Sequence, residues 1–216
     1  MKILSAFKYY LTSSVSLIFK INFIRLPIIK VNNLLFYVKN FMDIWTIKEV
    51  VIDRQYEIFR KIQSGDTVID IGCGIGDFSI VAEKSGAKKI YGFDADQNRL
   101  NIANKNLILN RTKKAIIACK VVTDLDLIFN QYKLKHCHFL KIDTEGAEYK
   151  IIKNTSSSIL NKIDYIAFEI HLFNQKMKEE YANLKAKLSS HKFYLLEKEN
   201  PVHSYIKFLF ASKKHF

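Results

Sequence analysis

Two prolines and seven glycines are all that punctuate 216 residues, so the chain is built from long regular elements rather than short strands joined by tight turns. An all-β sandwich is excluded on that ground. Cysteine is equally sparse: Cys73, Cys119 and Cys137 lie far apart with no Cys-x-x-Cys pair, which argues against a disulfide framework or zinc module and predicts free thiols in the reducing cytoplasm. Acidic residues are missing from the first 42 positions, whereas Lys2, Lys8, Lys20, Arg25, Lys30 and Lys39 are all basic. The N-terminal stretch is also apolar, but Lys20 and Arg25 interrupt it before it reaches the ~20 uncharged residues of a membrane span. No small-residue cleavage site follows it, so a secretory signal fits poorly. Residues 1–33 therefore read as a basic apolar extension. It either packs on the domain or lies on an anionic membrane surface as a peripheral contact.

What remains is rich. Hydrophobic residues make up 49% of the chain and aromatics 13%, enough to bury a core and to exclude global disorder. The formal charge of +13 would attract an anionic partner non-specifically.

Residues 34–216 read as one α/β domain. Leu34 to Val38 has strand character, and Met42 to Gln63 shows helical apolar spacing up to Ser64 and Gly65. Thr67 to Ile71 is the continuous β-branched run of a strand buried on both faces. Strands then alternate with helices through KIYGF, Ala115 to Cys119, CHFLKI and YIAFEI. The chain closes on KFYLLE and YIKFLFAS as an antiparallel edge hairpin. This pattern predicts a doubly wound, mostly parallel, Rossmann-like sheet.

Ligands of such sheets sit outside the carboxyl ends of the strands. The first such end reads Asp70-Ile71-Gly72-Cys73-Gly74-Ile75-Gly76-Asp77, a glycine-rich bend between strand and helix. A dinucleotide fingerprint carries its third glycine where this chain has Asp77, and a carboxylate there, with Asp70 close by, repels a diphosphate. The loop suits S-adenosylmethionine, which has no phosphate and carries an ammonium and a sulfonium. Asp94, followed by Ala95, ends the next strand about twenty residues on, where a carboxylate can accept the ribose hydroxyls. Asp124 after the third strand reads equally as an adenine-side residue and as a helix cap.

The fourth of these strands ends in Lys141-Ile142-Asp143-Thr144-Glu145-Gly146-Ala147-Glu148. With this segment, VIDIG-x-G-x-G from Val68 to Gly76, Gly86-Ala87, and FYVKN followed by DIWTIKEVV, the chain from about Leu34 to Phe173 resembles the FkbM-type S-adenosylmethionine-dependent methyltransferases. The resemblance implies a class I methyltransferase fold and methylation of a hydroxyl oxygen on a small-molecule, glycan or lipid acceptor. The second-strand acid, frequently Glu in that family, is Asp94 here.

Methyl transfer to oxygen is an in-line displacement that depends on holding nucleophile, methyl and sulfur collinear, aided by removal of the hydroxyl proton. Asp143 and then Glu145 are the candidates for positioning the acceptor or acting as base. Glu169 and His171, two apart on the fifth strand, share a face, and a neutral imidazole can take a proton at cellular pH. A divalent cation on Asp143, Glu145, Glu169 and His171 is an alternative, but no metal is assigned. His136 and His138 begin their strand, at the end opposite the cofactor, and are rejected as ligands. The lack of an Asn-Pro-Pro-Tyr motif, an RNA-binding module and a basic stripe beyond the leader disfavours nucleic-acid methylation, which stays as the alternative beside a non-catalytic, membrane-surface cofactor binder. Oligomeric state is not legible.

Overall fold

The computed structural model describes residues 21–25 and 27–215, with side chains from residue 27 onward. Strands β1 (Ile21–Arg25), β2 (Ile28–Val31) and β3 (Leu34–Tyr37) form a small antiparallel sheet in the order β1-β2-β3. The β2–β3 hairpin joins residues on both sides of the division expected between 33 and 34, and Ile29 and Val31 are buried with Phe36. The membrane-contact reading of the leader falls mainly on residues 1–20, outside the described residues. Among those described, no helix is long and apolar enough to cross a membrane.

The main sheet has seven strands: β4 (Thr67–Ile71), β5 (Lys89–Asp94), β6 (Ala115–Cys119), β7 (Phe139–Ile142), β8 (Tyr165–His171), β9 (Tyr194–Glu199) and β10 (Ile206–Ser212). Their order is β6-β5-β4-β7-β8-β10-β9. The first five are parallel, and β10 inserts antiparallel between β8 and β9. This is the doubly wound sheet with its C-terminal hairpin that the alternation predicts. Alternate residues feed two cores, as they must on a pleated strand. Ile69, Phe93, Leu140 and Phe168 face helices α4 (Asp126–Gln131), α5 (Glu148–Asn154), α6 (Ser157–Leu160) and α7 (Gln175–Ser190). Val68, Ile90, Phe139 and Ala167 face α2 (Asp77–Lys84) and the N-terminal sheet.

The small sheet is fastened to α3 (Gln97–Leu109) by two asparagines that act as a surrogate strand. Asn110 Oδ1 accepts from Leu35 N–H at 2.9 Å, and Asn106 Oδ1 from Tyr37 N–H at 2.6 Å. Asn106 Nδ2 also donates to Ile75 O at 3.0 Å, tying that edge to the glycine-rich bend.

The single helix expected over 42–63 is not formed. Instead α1 (Phe41–Ile47) runs into a π-helical turn (Lys48–Ile52), and a 3-10 turn (Gln55–Glu57) follows Arg54, whose φ is 52°. Buried Glu57 explains the break: it pairs with Arg54 and accepts from Ile62 N–H at 2.9 Å, holding the chain in a loop. That loop turns Tyr56 inward.

Candidate active site

The strand order reverses between β4 and β7, where doubly wound sheets open a crevice. Gly72, Gly74 and Gly76 all have positive φ there. Gly72 is dictated by packing as well, since a Cβ on it would stand 1.7 Å from the Asp143 carbonyl oxygen. The bend is pinned to β5 by Gly72 N–H and Cys73 N–H, which both donate to Phe93 O.

The carboxylate of Asp94 is held by two backbone donors. Oδ2 accepts from Gly74 N–H and Oδ1 from Asp96 N–H, each at 2.8 Å, which fixes the carboxylate and leaves further lone pairs on both oxygens. Asp77 is buried; Oδ1 takes the Phe78 N–H at 2.9 Å while Oδ2 has no hydrogen-bond partner. Burial, opposed by Lys141, raises its carboxyl to about 6. A buried carboxylate oxygen with nothing to accept from is a place for a cation.

Asp70 is not such a place. It is fully buried beneath the bend, where Oδ2 accepts from Ser79 Oγ at 2.8 Å and Oδ1 lies 3.2 Å from Lys141 Nζ. Lys141 also donates to Gly72 O at 2.9 Å. Burial alone would lower the Lys141 ammonium, but Asp70, Asp143 and Asp77 outweigh it and hold it above its ordinary value. Asp70 therefore braces the loop from below rather than meeting a cofactor.

At the acceptor end Tyr56, which the sequence reading did not single out, donates to Asp143 Oδ2 at 2.9 Å and stands 3.4 Å from Glu169 Oε2. Burial and then Asp143, against the pull of His171, push Glu169 up to about 8. Glu49, bonded by Trp45 Nε1 at 3.0 Å, is raised by burial to about 7. Glu49 sits in the π-helical turn and Tyr56 in the 3-10 turn that follows it, and their inward aim has no signature in helical apolar spacing.

His171 is not the neutral base expected. Its ring is buried, with Nδ1 3.3 Å from Glu148 Oε1 and Nε2 3.3 Å from Glu145 Oε2 and 3.6 Å from Glu169 Oε1. Burial would lower it, but Glu148 and then Asp143 and Glu169 raise it to about 9, so the imidazole is protonated at neutral pH. Glu145, at φ 54°, projects its carboxylate into solvent.

One cavity of about 860 Å³ joins these groups. Gly72, Cys73, Gly74, Asp77, Asp94, Ala95, Asp143, Glu145 and Glu169 line it. Asp70, Gly76, His171 and Asp124 do not. Gly76 instead packs against Ala103, and Asp124 caps α4 by accepting from Leu127 N–H at 3.0 Å. Arg99 and Lys120 add cations to the rim, and Phe173 and Tyr205, with ring centroids 5.7 Å apart, add aromatic surface. His136 and His138 lie at the far end of the sheet, where His138 N–H bonds to Thr67 O.

The sequence pattern of the PrmA family, ribosomal protein L11 methyltransferase, matches residues 52–133. The ribosomal protein L11 methyltransferase of Acetivibrio thermocellus is 35% identical over 67 residues, 31% of this chain and 21% of that protein. That of Ruminiclostridium cellulolyticum is 38% identical over 79 residues, 36% of this chain and 25% of that one. The chain thus spans about a quarter of the length of these curated relatives. Among solved structures, an rRNA methylase from Streptococcus thermophilus superposes with a TM-score of 0.56 at 14% identity over 71% of this chain and 90% of that one. TrmK of M. capricolum, in complex with S-adenosyl-homocysteine, gives 0.53 at 17% identity over 77% and 69%. The fold is that of class I S-adenosylmethionine-dependent methyltransferases.

Two expectations are corrected by these findings. The family pattern that matches, over residues 52–133, is PrmA and not the FkbM type, and the DTEGAE segment on which that resemblance chiefly rested lies outside the matched stretch. The expected small-molecule, glycan or lipid hydroxyl acceptor finds no counterpart among the similar proteins, which are described as methylases of ribosomal protein L11 or of rRNA. S-adenosylmethionine as cofactor agrees with the fold, with the S-adenosyl-homocysteine held by a relative, and with the orphaned oxygen of Asp77.

Proposed function

We propose that this chain is an S-adenosylmethionine-dependent methyltransferase whose acceptor is a nucleic acid, RNA in the first place. The observation that carries it is one continuous cavity lined by Gly72, Gly74, Asp77 and Asp94 together with Asp143, Glu169, Phe173 and Tyr205. When bound, S-adenosylmethionine supplies a methyl group activated as a sulfonium. Asp94 holds the ribose, Asp77 the α-ammonium, and Arg99 has the charge for the α-carboxylate. Asp143, fixed by Tyr56, accepts a hydrogen bond from the N–H or O–H of the acceptor and so sets its line of approach.

Three features favour nucleic acid. The chain carries a net +13, Lys120 and Arg99 stand at the rim, and the half-exposed rings of Phe173 and Tyr205 offer a face on which a base can stack. A protein acceptor is favoured by the PrmA match. That match covers the bend and Asp94 and, on the acceptor side, Tyr56, but none of Asp143, Glu169, Phe173 or Tyr205, so it bears mainly on the cofactor half of the cavity.

Methyl-labelled cofactor incubated separately with protein-free ribosomal RNA and RNA-free ribosomal protein decides between them. Label released by ribonuclease supports the RNA reading, and label only in protein overturns it. We place the protein in the cytoplasm, where three free thiols are stable.

A further inference from the structure

The buried imidazole of His171 has a feature that the methyl-transfer scheme does not use. Its Nδ1 faces Glu148, whose carboxylate is fixed in turn by Thr144 Oγ1 at 3.0 Å and by the N–H groups of Gly146 at 2.8 Å and His171 at 2.9 Å. Its Nε2 is buried, makes no hydrogen bond, and is aimed at the acceptor end of the cavity. A histidine whose one nitrogen is oriented by a fixed carboxylate while the other looks into a group of carboxylates has the arrangement of a metal ligand with its supporting shell.

The partners are in place. One ligand atom each from Asp143, Glu169 and His171 fall within 4.8 Å of one another, a spread that ligands at about 2.0–2.5 Å around one ion can meet with small side-chain movements. Tyr56 and Lys141 both address Asp143 Oδ2, and Tyr56 addresses Glu169 Oε2, while Glu169 Oε1 faces the imidazole. Glu145 Oε2, on an exposed side chain 3.3 Å from Nε2, is within reach as a fourth ligand.

We propose that Asp143, Glu169 and His171, with Glu145 closing from the solvent side, form a binding site for one divalent cation of the Mn2+, Fe2+ or Mg2+ type. Two or three carboxylate oxygens with one imidazole nitrogen suit these ions. The ion replaces the proton on Nε2, which is released to solvent, and its remaining positions face the cavity. The site stands whichever macromolecule accepts the methyl group.

A second group, His136, His138 and Asp164, meets the same distance criterion but has the wrong donors. His138 Nδ1 accepts from Thr67 N–H at 3.0 Å, so the proton of the neutral ring sits on Nε2. His136 Nε2 is bonded to Asp164 at 2.9 Å. That group serves as the control.

The test titrates the full chain with Mn2+, following loss of the aqueous ion's electron paramagnetic resonance signal. The expected result is one ion per chain, weakened at least tenfold by His171→Gln and by about 10–100-fold by Glu148→Gln, and unchanged by His136→Ala. Binding of S-adenosyl-homocysteine, read from Trp45 fluorescence, reports whether each variant is folded. Because a buried histidine variant can fail to fold, the wild-type Mn2+ complex is also examined for nitrogen modulation, which a bound imidazole must produce. No saturable binding at about millimolar Mn2+, binding retained in folded His171→Gln, loss in His136→Ala, or a wild-type complex without nitrogen coupling would each overturn the site. None of these readings depends on methyl transfer.

Discussion

The hydroxyl of Tyr56 lies 2.9 Å from Oδ2 of Asp143, joining a 3-10 turn of the entry segment to the end of β7. The bond gives Asp143 one defined orientation and, through the 3.4 Å approach to Glu169, keeps two carboxylates apart across a shared donor. Tyr56→Phe removes that donor and nothing else. Loss of a buried hydrogen bond to charged groups costs about 1–3 kcal/mol, and urea unfolding should show a loss of that size. Turnover should fall at least tenfold with the affinity for S-adenosyl-homocysteine nearly unchanged, because Tyr56 works on the acceptor side.

Gly72 and Gly65 both have positive φ, 76° and 91°, but only Gly72 is backed by another chain segment. Gly65→Ala has open space and should cost only the strain of a left-handed residue, about 1–2 kcal/mol. Gly72→Ala must push the Asp143 carbonyl away and should abolish cofactor binding or folding. Equal Tm losses for the two would show that the close approach is not what selects glycine.

Asp77 makes the account sensitive to pH. Its carboxyl is raised from 3.8 to about 6 by burial, so the folded chain prefers it protonated. That contribution is fully present below pH 3.8 and is lost as pH rises through 6. Above that, ionised Asp77 costs the cofactor-free chain on the order of 3 kcal/mol. Asp77→Asn should therefore be more stable than wild type at pH 8, with the gap narrowing towards pH 4. A cofactor ammonium reverses the preference: S-adenosyl-homocysteine should bind wild type more tightly from pH 5 to 7, and Asp77→Asn weakly at every pH.

Asn106 links the edge of the N-terminal sheet to the cofactor bend through Tyr37 and Ile75. Asn106→Ala strands the part-buried N–H and C=O of Tyr37 and the buried C=O of Ile75, the buried group alone costing about 1–3 kcal/mol. Chemical denaturation should register a loss of that order, and cofactor affinity should drop with it.

Much of this was legible because it is local. Strands such as Thr67–Ile71 are buried on both faces and announce themselves by continuous β-branched residues, and Gly72, Asp77 and Asp94 sit at fixed distances after strand ends. What stayed hidden depends on tertiary contact. The break after α1 follows from Glu57 capturing Ile62 N–H, which helical spacing does not encode. Asn106 and Asn110 read as ordinary helix residues until β3 lies beside them. Asp70 has the same spacing whether it faces a ligand or, as here, Lys141 and Ser79. His171 has the charge that Glu148, Asp143 and Glu169 favour, and the first two are more than twenty positions away.

Calorimetric titration with S-adenosyl-homocysteine and with NAD, on wild type and Asp94→Ala, tests the cofactor assignment most directly. The account predicts one S-adenosyl-homocysteine per chain, at least tenfold weaker binding in Asp94→Ala, and no heat from NAD. Comparable or tighter binding of NAD, or S-adenosyl-homocysteine binding indifferent to Asp94, would contradict it.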